Sequence, residues 1–280
     1  MMKISIIIVS WNVREQLRAC LQSIQQYCTG LAVETWVVDN ASHDGSAQMV
    51  ASDFPHVKLI ANTTNRGFGA ANNQALVQAS GDYVLFLNDD CSFQSDILPR
   101  LVQLFIEQPK LGMVGVHLLN SDGSNQPSVR AWPRVLDQTL IQLKLHHLFP
   151  KLINRYVMTE FDYSHSQAVP QVMGAFMFMP LALAKQYGGF DPEYFVWFEE
   201  VDLQRRLQRD GYCVWYEASV SCVHAKGQSF QQLARPAAQR MFNRSLRTYM
   251  RKQVNVLAYA WFLLLHPVSM LLAYGAQIFR

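Results

Sequence analysis

The chain has 280 residues, half of them hydrophobic, and a formal net charge of +3. That length can bury a sizeable core, as one large domain or as a domain with an appendage, and so small a charge gives no case for a nucleic-acid partner. Cys20, Cys28, Cys91, Cys213 and Cys222 are odd in number and lack metal-ligand spacing, so free thiols in a reducing compartment are expected. Residues 1–10 carry one lysine and a β-branched run without a cleavage site, which predicts a first strand over 4–9, not a secretory leader, and a cytoplasmic location. A helix is expected over 14–27, with Leu17, Leu21 and Ile24 at helical spacing. Residues 33–38 read as the second strand. Asp44, Gly45 and Ser46 open the next helix with a capping residue. Residues 57–61 read as a third strand, 67–79 as a helix of small residues, 83–87 as a fourth strand and 97–107 as another helix. This βαβαβαβ order implies an α/β fold, a mostly parallel sheet with helices on both faces.

The pattern then loosens. Residues 120–133 are turn-rich and 136–153 are amphipathic. Residues 169–179 read as a strand with close backbone approach at Gly174, 201–210 as a helix, and 212–216 and 220–224 as late strands. In the tail, Arg240, Arg244, Arg247 and Arg251 recur at three- and four-residue spacing, which stacks them on one helical face. After Lys252 no charged residue appears until Arg280, although His266 and Pro267 interrupt the apolar stretch. A basic face beside an apolar one predicts docking on an anionic membrane surface more than a true span. Packing of a C-terminal helix pair on the domain, or on a second subunit of a homo-oligomer, is the plainer alternative.

Parallel strands share one edge at their carboxyl ends, where open α/β sheets bind ligands. Four polar clusters fall there: Ser10, Trp11 and Asn12; Asp39 and Asn40; Asn65, Arg66 and Gly67; and Asn88, Asp89 and Asp90. Each alone fits an Asx turn. Together they offer an acid for a base or ribose, an arginine for phosphate and carboxylates for a hard divalent ion, the contents of a nucleotide-diphosphate pocket. A fifth cluster, Glu199, Glu200 and Asp202, sits at a helix start, where the dipole accommodates acids. Here Trp197, Phe198 and Leu203 surround it, so desolvation should raise a carboxylate's pKa and suit it as a general base. His224, followed by Gly227 and Ser229, ends a strand as a structural residue or a metal ligand.

At these positions the chain resembles the family-two inverting glycosyltransferases of the GT-A fold, in particular their rhamnosyltransferase-like branch. The matching pieces are 5–12 (SIIIVSWN), 38–46 (VDNASHDGS), 65–73 (NRGFGAANN), 85–90 (LFLNDD), 188–203 (GGFDPEYFVWFEEVDL) and 224–229 (HAKGQS), in the family's order. The resemblance covers about residues 1–230, taken as the catalytic domain, and leaves 231–280 as a basic and apolar helical tail. It implies that Asp39 contacts the nucleotide base and that Ser10, Asn12, Asn65, Arg66 and Asp89 belong to the nucleotide-sugar pocket. Asn88 and Asp90 take the outer positions of the family's metal motif, with Asp90 the main ligand of Mg²⁺ or Mn²⁺ and His224 a further one. Gly174 and Ala175 match a segment lining the sugar and acceptor site. The family's base is the second residue of a Glu–Asp pair; this chain has Glu there, so Glu200 ranks first, with Glu199 and Asp202 as alternatives.

The activity so implied is metal-dependent transfer of a sugar, first of all rhamnose, from a dTDP- or UDP-linked donor to a glycan or polyprenyl-linked acceptor on the cytoplasmic face of the inner membrane. A nucleotidyltransferase would more usually show a basic Gly-rich loop after the first strand. A dinucleotide-dependent dehydrogenase would show GxGxxG there. A decayed, carbohydrate-binding member of the fold is the non-enzymatic alternative, and the intact carboxylates argue against it.

Overall fold

All of β1 (Lys3–Ser10) after its first residue is buried, which is why it is apolar from Ile4 to Val9 but for Ser5: both its faces are covered. Ile4, Ile6 and Ile8 pack with Leu17, Cys20, Leu21 and Ile24 of α1 (Arg14–Tyr27). Ile7 and Val9 face the other way, onto Ala71 and Ala75 of α3 (Phe68–Gln78), whose small residues let the helix lie close to the sheet. The computed structural model describes residues 2–225 and 232–278.

Parallel β2 (Ala32–Asp39) and β3 (Lys58–Ala61) extend the sheet from β1 on one side, with α2 (Ser46–Asp53) between them in sequence. Parallel β4 (Tyr83–Asn88) flanks β1 on the other. Beyond the short β5 (Cys91–Ser92) and α4 (Leu98–Glu107) comes β6 (Leu111–Leu119), then β7 (Val129–Arg130), α5 (Val135–Gln142) and α6 (Pro150–Val157). There follow β8 (Gln167–Ala168), β9 (Gln171–Val172), β10 (Phe176–Pro180), α7 (Leu181–Gln186), α8 (Glu199–Arg209) and β11 (Cys213–His224). Among the described residues the main sheet has nine strands in the order β3-β2-β1-β4-β10-β6-β11-β5, with β8 on β11; β7 pairs with β9. The α/β expectation is met, with β10 inserted antiparallel between β4 and β6.

Several local expectations are corrected. The run 169–179 is not one strand: it divides into β9 and β10 around Met173, Gly174 and Ala175. The two late strands are one, β11, because an irregularity between Glu217 and Ser221 interrupts its pairing with β6 without ending it. The amphipathic stretch 136–153 divides into α5 and α6, with a 3-10 turn at His146–Leu148 and Pro150 opening α6. Asp44 does not cap α2; Gly45 takes that place, and Asp44 accepts from the Ser46 N–H in the turn before it. Strand β6 was not anticipated.

The tail forms α9 (Arg235–Tyr249), a π-helical turn at Met250–Val254 and α10 (Val256–Ile278). Pro267 lies inside α10 and does not end it, as one missing N–H removes a single bond from a long helix. Leu246, Tyr249, Met250, Ala258 and Phe262 form a third core with Tyr194, Phe198 and Val201, at the entry to α8. Polar ties reinforce this contact: Ser245 donates to the Val196 carbonyl at 2.7 Å, and Arg251 and Lys252 pair with Glu193 and Asp191.

Candidate active site

The register brings the polar strand ends together. Ser10 pairs with Asp39, Val9 with Asn88, and His224 with Cys91. A cavity of about 280 Å³ opens there, walled by Trp11, Asn40, Asn65, Asn88, Asp89, Asp90, Phe195 and Val196 among others. Asp39 is buried; one carboxylate oxygen accepts from the Ser42 N–H at 3.0 Å and the other has no hydrogen-bond partner among the described residues. Such an orphaned oxygen costs stability unless a ligand donates to it.

Asn40, which the sequence placed only in a cluster, organises the 62–67 loop. Its amide donates to the Gly67 carbonyl at 3.0 Å and accepts from the Arg66 N–H and the Asn62 side chain, both at 3.1 Å. Asn65 accepts from the Gly67 N–H at 2.9 Å. Gly67 has φ +82°, and an added Cβ would stand 2.1 Å from the Phe195 carbonyl oxygen, so only glycine fits. The Arg66 side chain is exposed and forms no ion pair among the described residues. Asn12 is spent on the scaffold: its side chain accepts from the His43 N–H at 2.7 Å and its own N–H donates to the Ser42 hydroxyl.

Asp89 is held well above the usual carboxylate range, first by burial and then by the charge of Asp90. Asp90 and His224 approach to 3.2 Å between Oδ1 and Nε2. The hydrogen-bond network assigns the histidine tautomer. Gln126 donates from Nε2 to the Asn120 side chain at 2.8 Å and to the His224 carbonyl at 3.0 Å, which leaves its Oε1 as acceptor, 2.6 Å from His224 Nδ1. The proton therefore sits on Nδ1. Nε2 faces Asn88 Nδ2 at 3.3 Å and the Asp90 oxygen, which has no hydrogen-bond partner among the described residues. A carboxylate oxygen and an imidazole nitrogen 3.2 Å apart in a buried site are a donor set that a divalent ion accepts. Cys91 Sγ also lies within the 4.8 Å group, but it is turned to the Ala175 carbonyl and burial pushes its thiol pKa up. Gly227 and Ser229 lie outside the described residues.

The acidic cluster at the start of α8 is entered through Trp197 and Phe198, both at positive φ, +65° and +70°. Two bulky residues in the left-handed region store strain of the kind found at functional sites. The turn sends the three acids to different places. Glu199 is buried against Gly69 of α3, and burial and the neighbouring Glu200 charge raise its pKa. Asp202 is occupied: it accepts from Arg206 Nε at 2.8 Å, Tyr194 at 3.3 Å and the Gln253 amide. Glu200 lines a second cavity, of about 180 Å³, with Ser128, Arg130, Tyr156, Gln171 and Trp197 among its walls. Burial raises its pKa as well. Gly174 and Ala175 stand between the two clusters: a Cβ on Gly174 would meet Glu200 Cγ at 3.3 Å, and the Ala175 carbonyl accepts from the Asn88 N–H at 2.9 Å. Gln126 and Arg130 carry no sequence signal because a turn-rich segment has no periodicity to mark an inward side chain, and Tyr156 of α6 carries none because it lies beyond the amphipathic stretch 136–153.

A half-parallel sheet with carboxylates at its strand ends, a cavity beside them and a second acid at a helix start define a glycosyltransferase of the GT-A architecture. The chain belongs to glycosyl transferase family 2, whose model matches residues 5–164. It is 26% identical over 241 residues to an N-acetylglucosaminyl-diphospho-decaprenol L-rhamnosyltransferase of Mycobacterium tuberculosis, spanning 80% of this chain and 76% of that one. It is 26% identical over 167 residues to a rhamnosyltransferase of Escherichia coli K12, spanning 56% of this chain and 60% of that one. A mannosyltransferase from Pyrobaculum calidifontis, solved with GDP-Man and Mn²⁺, shares the fold at a TM-score of 0.58 and 19% identity, over 98% of this chain and 73% of that one.

Proposed function

We propose that the protein transfers a sugar, rhamnose in the first place, from a dTDP- or UDP-linked donor to a hydroxyl of a lipid-linked glycan, with inversion at the anomeric carbon. The observation that carries this reading is the pair of cavities on either side of the 195–200 segment, one walled by Asn88, Asp89 and Asp90 and the other by Glu200. The donor's diphosphate belongs in the first and the acceptor hydroxyl in the second. The relatives named for rhamnosyl transfer support the sugar, and the decaprenol-linked acceptor in one name supports the acceptor class.

Asp90 and His224, with Asn88 beside them, would hold Mg²⁺ or Mn²⁺. When bound, the ion supplies a Lewis acid that offsets charge gathering on the leaving diphosphate. Asp39 offers its orphaned oxygen to the base, and Arg66 brings an unpaired guanidinium to the phosphates. Glu200 takes the proton of the acceptor hydroxyl as its oxygen bonds to the anomeric carbon and the bond to the diphosphate oxygen breaks. The transition state is oxocarbenium-like, as in glycoside hydrolysis, and the chain contributes mainly position and electrostatics. Glu199 and Asp202 are scaffold in this account, since one lies beneath α3 and the other is consumed by Arg206, Tyr194 and Gln253.

The fold's tail gives the enzyme its place. α10 is long and apolar enough to cross a membrane, and Leu257, Leu264 and Leu271, seven residues apart, are each more than 70% exposed. With the exposed Arg240 and Arg244 of α9, this stripe suits peripheral contact with an anionic cytoplasmic leaflet. The test is sugar transfer to a lipid-diphosphate-linked N-acetylhexosamine by wild type and Glu200→Gln. The account expects transfer by the first and loss of at least about a thousandfold in the second at unchanged donor affinity. Near-normal turnover in the variant removes Glu200 as the base.

A further inference from the structure

Beyond Glu200, the acceptor-side cavity shares a wall with another. An open cavity of about 480 Å³ lies between the end of α5, the start of α9 and the last turns of α10, with the exposed Lys144 and Arg235, and Gln239 and Ala276, among its walls. Trp197 and Phe242 line both cavities, their rings 6.0 Å apart. Lys144 and Arg235 form no ion pair among the described residues: Lys144 donates to the Gln239 side chain at 2.6 Å, and Arg235 to the Ala276 carbonyl at 2.5 Å. Two cations share one cavity with no carboxylate between them, an arrangement that an anion relieves. Burial and the Arg235 charge both push the Lys144 pKa down, in keeping with that repulsion.

In the Glu200 cavity, the Ser128 hydroxyl is buried without a partner among the described residues, a polar atom suited to a bound hydroxyl-bearing ligand. On the other side, α10 carries its exposed leucine stripe away from Ala273 and Ala276, which wall the cationic cavity. The polar cavity that ends at the general base, the pair of cations and α10 are thus neighbours, joined through Trp197 and Phe242 on one side and Ala273 and Ala276 on the other.

We infer that Lys144 and Arg235 form the binding site for the diphosphate of an isoprenoid-type lipid acceptor, with its sugar reaching Glu200 past Trp197 and its hydrocarbon chain lying along α10. This rests on the proposed sugar transfer to a lipid-linked acceptor and gives that acceptor its place. A nucleotide diphosphate does not fit the same site, because the cavity beside Asp90 holds the carboxylate and imidazole ligands that a metal-bridged diphosphate needs, and this one holds none.

The test is calorimetric titration of the full chain with farnesyl diphosphate in EDTA, which keeps metal-bridged binding at Asp90 out of the measurement. Farnesol and inorganic pyrophosphate separate the two halves of the ligand. Wild type should bind farnesyl diphosphate more tightly than either half. The Lys144→Gln/Arg235→Gln protein should lose at least about tenfold in that affinity, the size expected for charge-assisted contacts. Lys110→Gln, which removes one exposed charge outside the cavity, should change it by less than about twofold. Equal farnesyl diphosphate affinity in wild type and double variant, or farnesol binding as tightly as the diphosphate, overturns the site. A separate titration with dTDP and UDP in Mn²⁺ should be indifferent to the double substitution, which also shows the variant to be folded. Failure of both nucleotides with farnesyl diphosphate binding intact sinks the sugar-transfer reading and leaves this lipid-diphosphate site standing.

Discussion

His224 shows how one side chain can be aimed by another far away in sequence. Gln126 is 98 residues distant and buried, and its orientation is fixed by Asn120 and the His224 carbonyl. If it sets the tautomer, Gln126→Leu should weaken Mn²⁺ binding by about 10–100-fold, the usual cost of losing such support. Gln126→Glu should restore much of it, and ¹⁵N shifts of the His224 ring should report a mixture of tautomers only in the leucine variant. Unchanged shifts and affinity in that variant would reduce Gln126 to packing. Glu200 carries a pH signature. Burial raises its folded pKa above the unfolded value near 4.3. A base acts ionised, so the acid limb of kcat/KM should lie above the ordinary carboxylate range and vanish in Glu200→Gln. The same shift makes the folded state bind its proton more tightly than the unfolded state, so this group's contribution to stability falls as pH rises through that window. Glu200→Gln should therefore melt higher than wild type at pH 8, and a lower melting temperature there would contradict a half-buried carboxylate whose ionised form is disfavoured.

At the scale of elements, the strands that carry the site were the legible part. β1, β2 and β4 are largely covered on both faces, so each reads as a mainly apolar run ending in polar residues, with Ser5 of β1 and Glu34 and Thr35 of β2 as exceptions, and the parallel register then sets those ends side by side. β6 escaped because Gly112 and Gly115 interrupt its apolar run, although Gly115 is where Val172 packs too close for a side chain. β9 and β10 read as one because the break at Gly174 is short, and β11 read as two because Ala218 and Ser219 look like a turn in what is an irregular strand. Long-range pairing decided these cases, and local sequence does not encode it. The entry to α3 offers a sharp check. Gly67→Ala must leave φ +82° and clear the Phe195 carbonyl, so it should cost more than about 2 kcal/mol in urea unfolding and weaken nucleotide binding by displacing the 62–67 loop. A neutral effect on both would mean that the loop does not shape the pocket.

For the whole molecule, the tail is both packing and surface. α9 and the start of α10 share a core with Tyr194, Phe198 and Val201, so the tail braces the strained turn that presents Glu200. The sequence showed the basic and apolar composition of 231–280 but not which side of it faced the domain: Arg251 is taken by Glu193, while Arg240 and Arg244 stay exposed. Membrane contact then predicts that the protein co-sediments with vesicles containing anionic lipid and much less with neutral ones. Arg240→Glu/Arg244→Glu and about 0.5 M salt should each reduce that binding, because exposed charges act only over a Debye length of about 10 Å at 0.1 M salt. Equal binding to neutral vesicles by both proteins would assign the attachment to the apolar stripe alone.

The central claim is that Asp90 and its neighbours hold a nucleoside-diphosphate sugar through a divalent ion. The most direct test is calorimetric titration of wild type and Asp90→Ala with dTDP-, UDP- and GDP-sugars in Mn²⁺ and in EDTA. The account predicts that a dTDP- or UDP-sugar binds wild type only with metal, and that Asp90→Ala loses this metal-dependent binding. Equal binding by both proteins, or binding indifferent to EDTA, would contradict it.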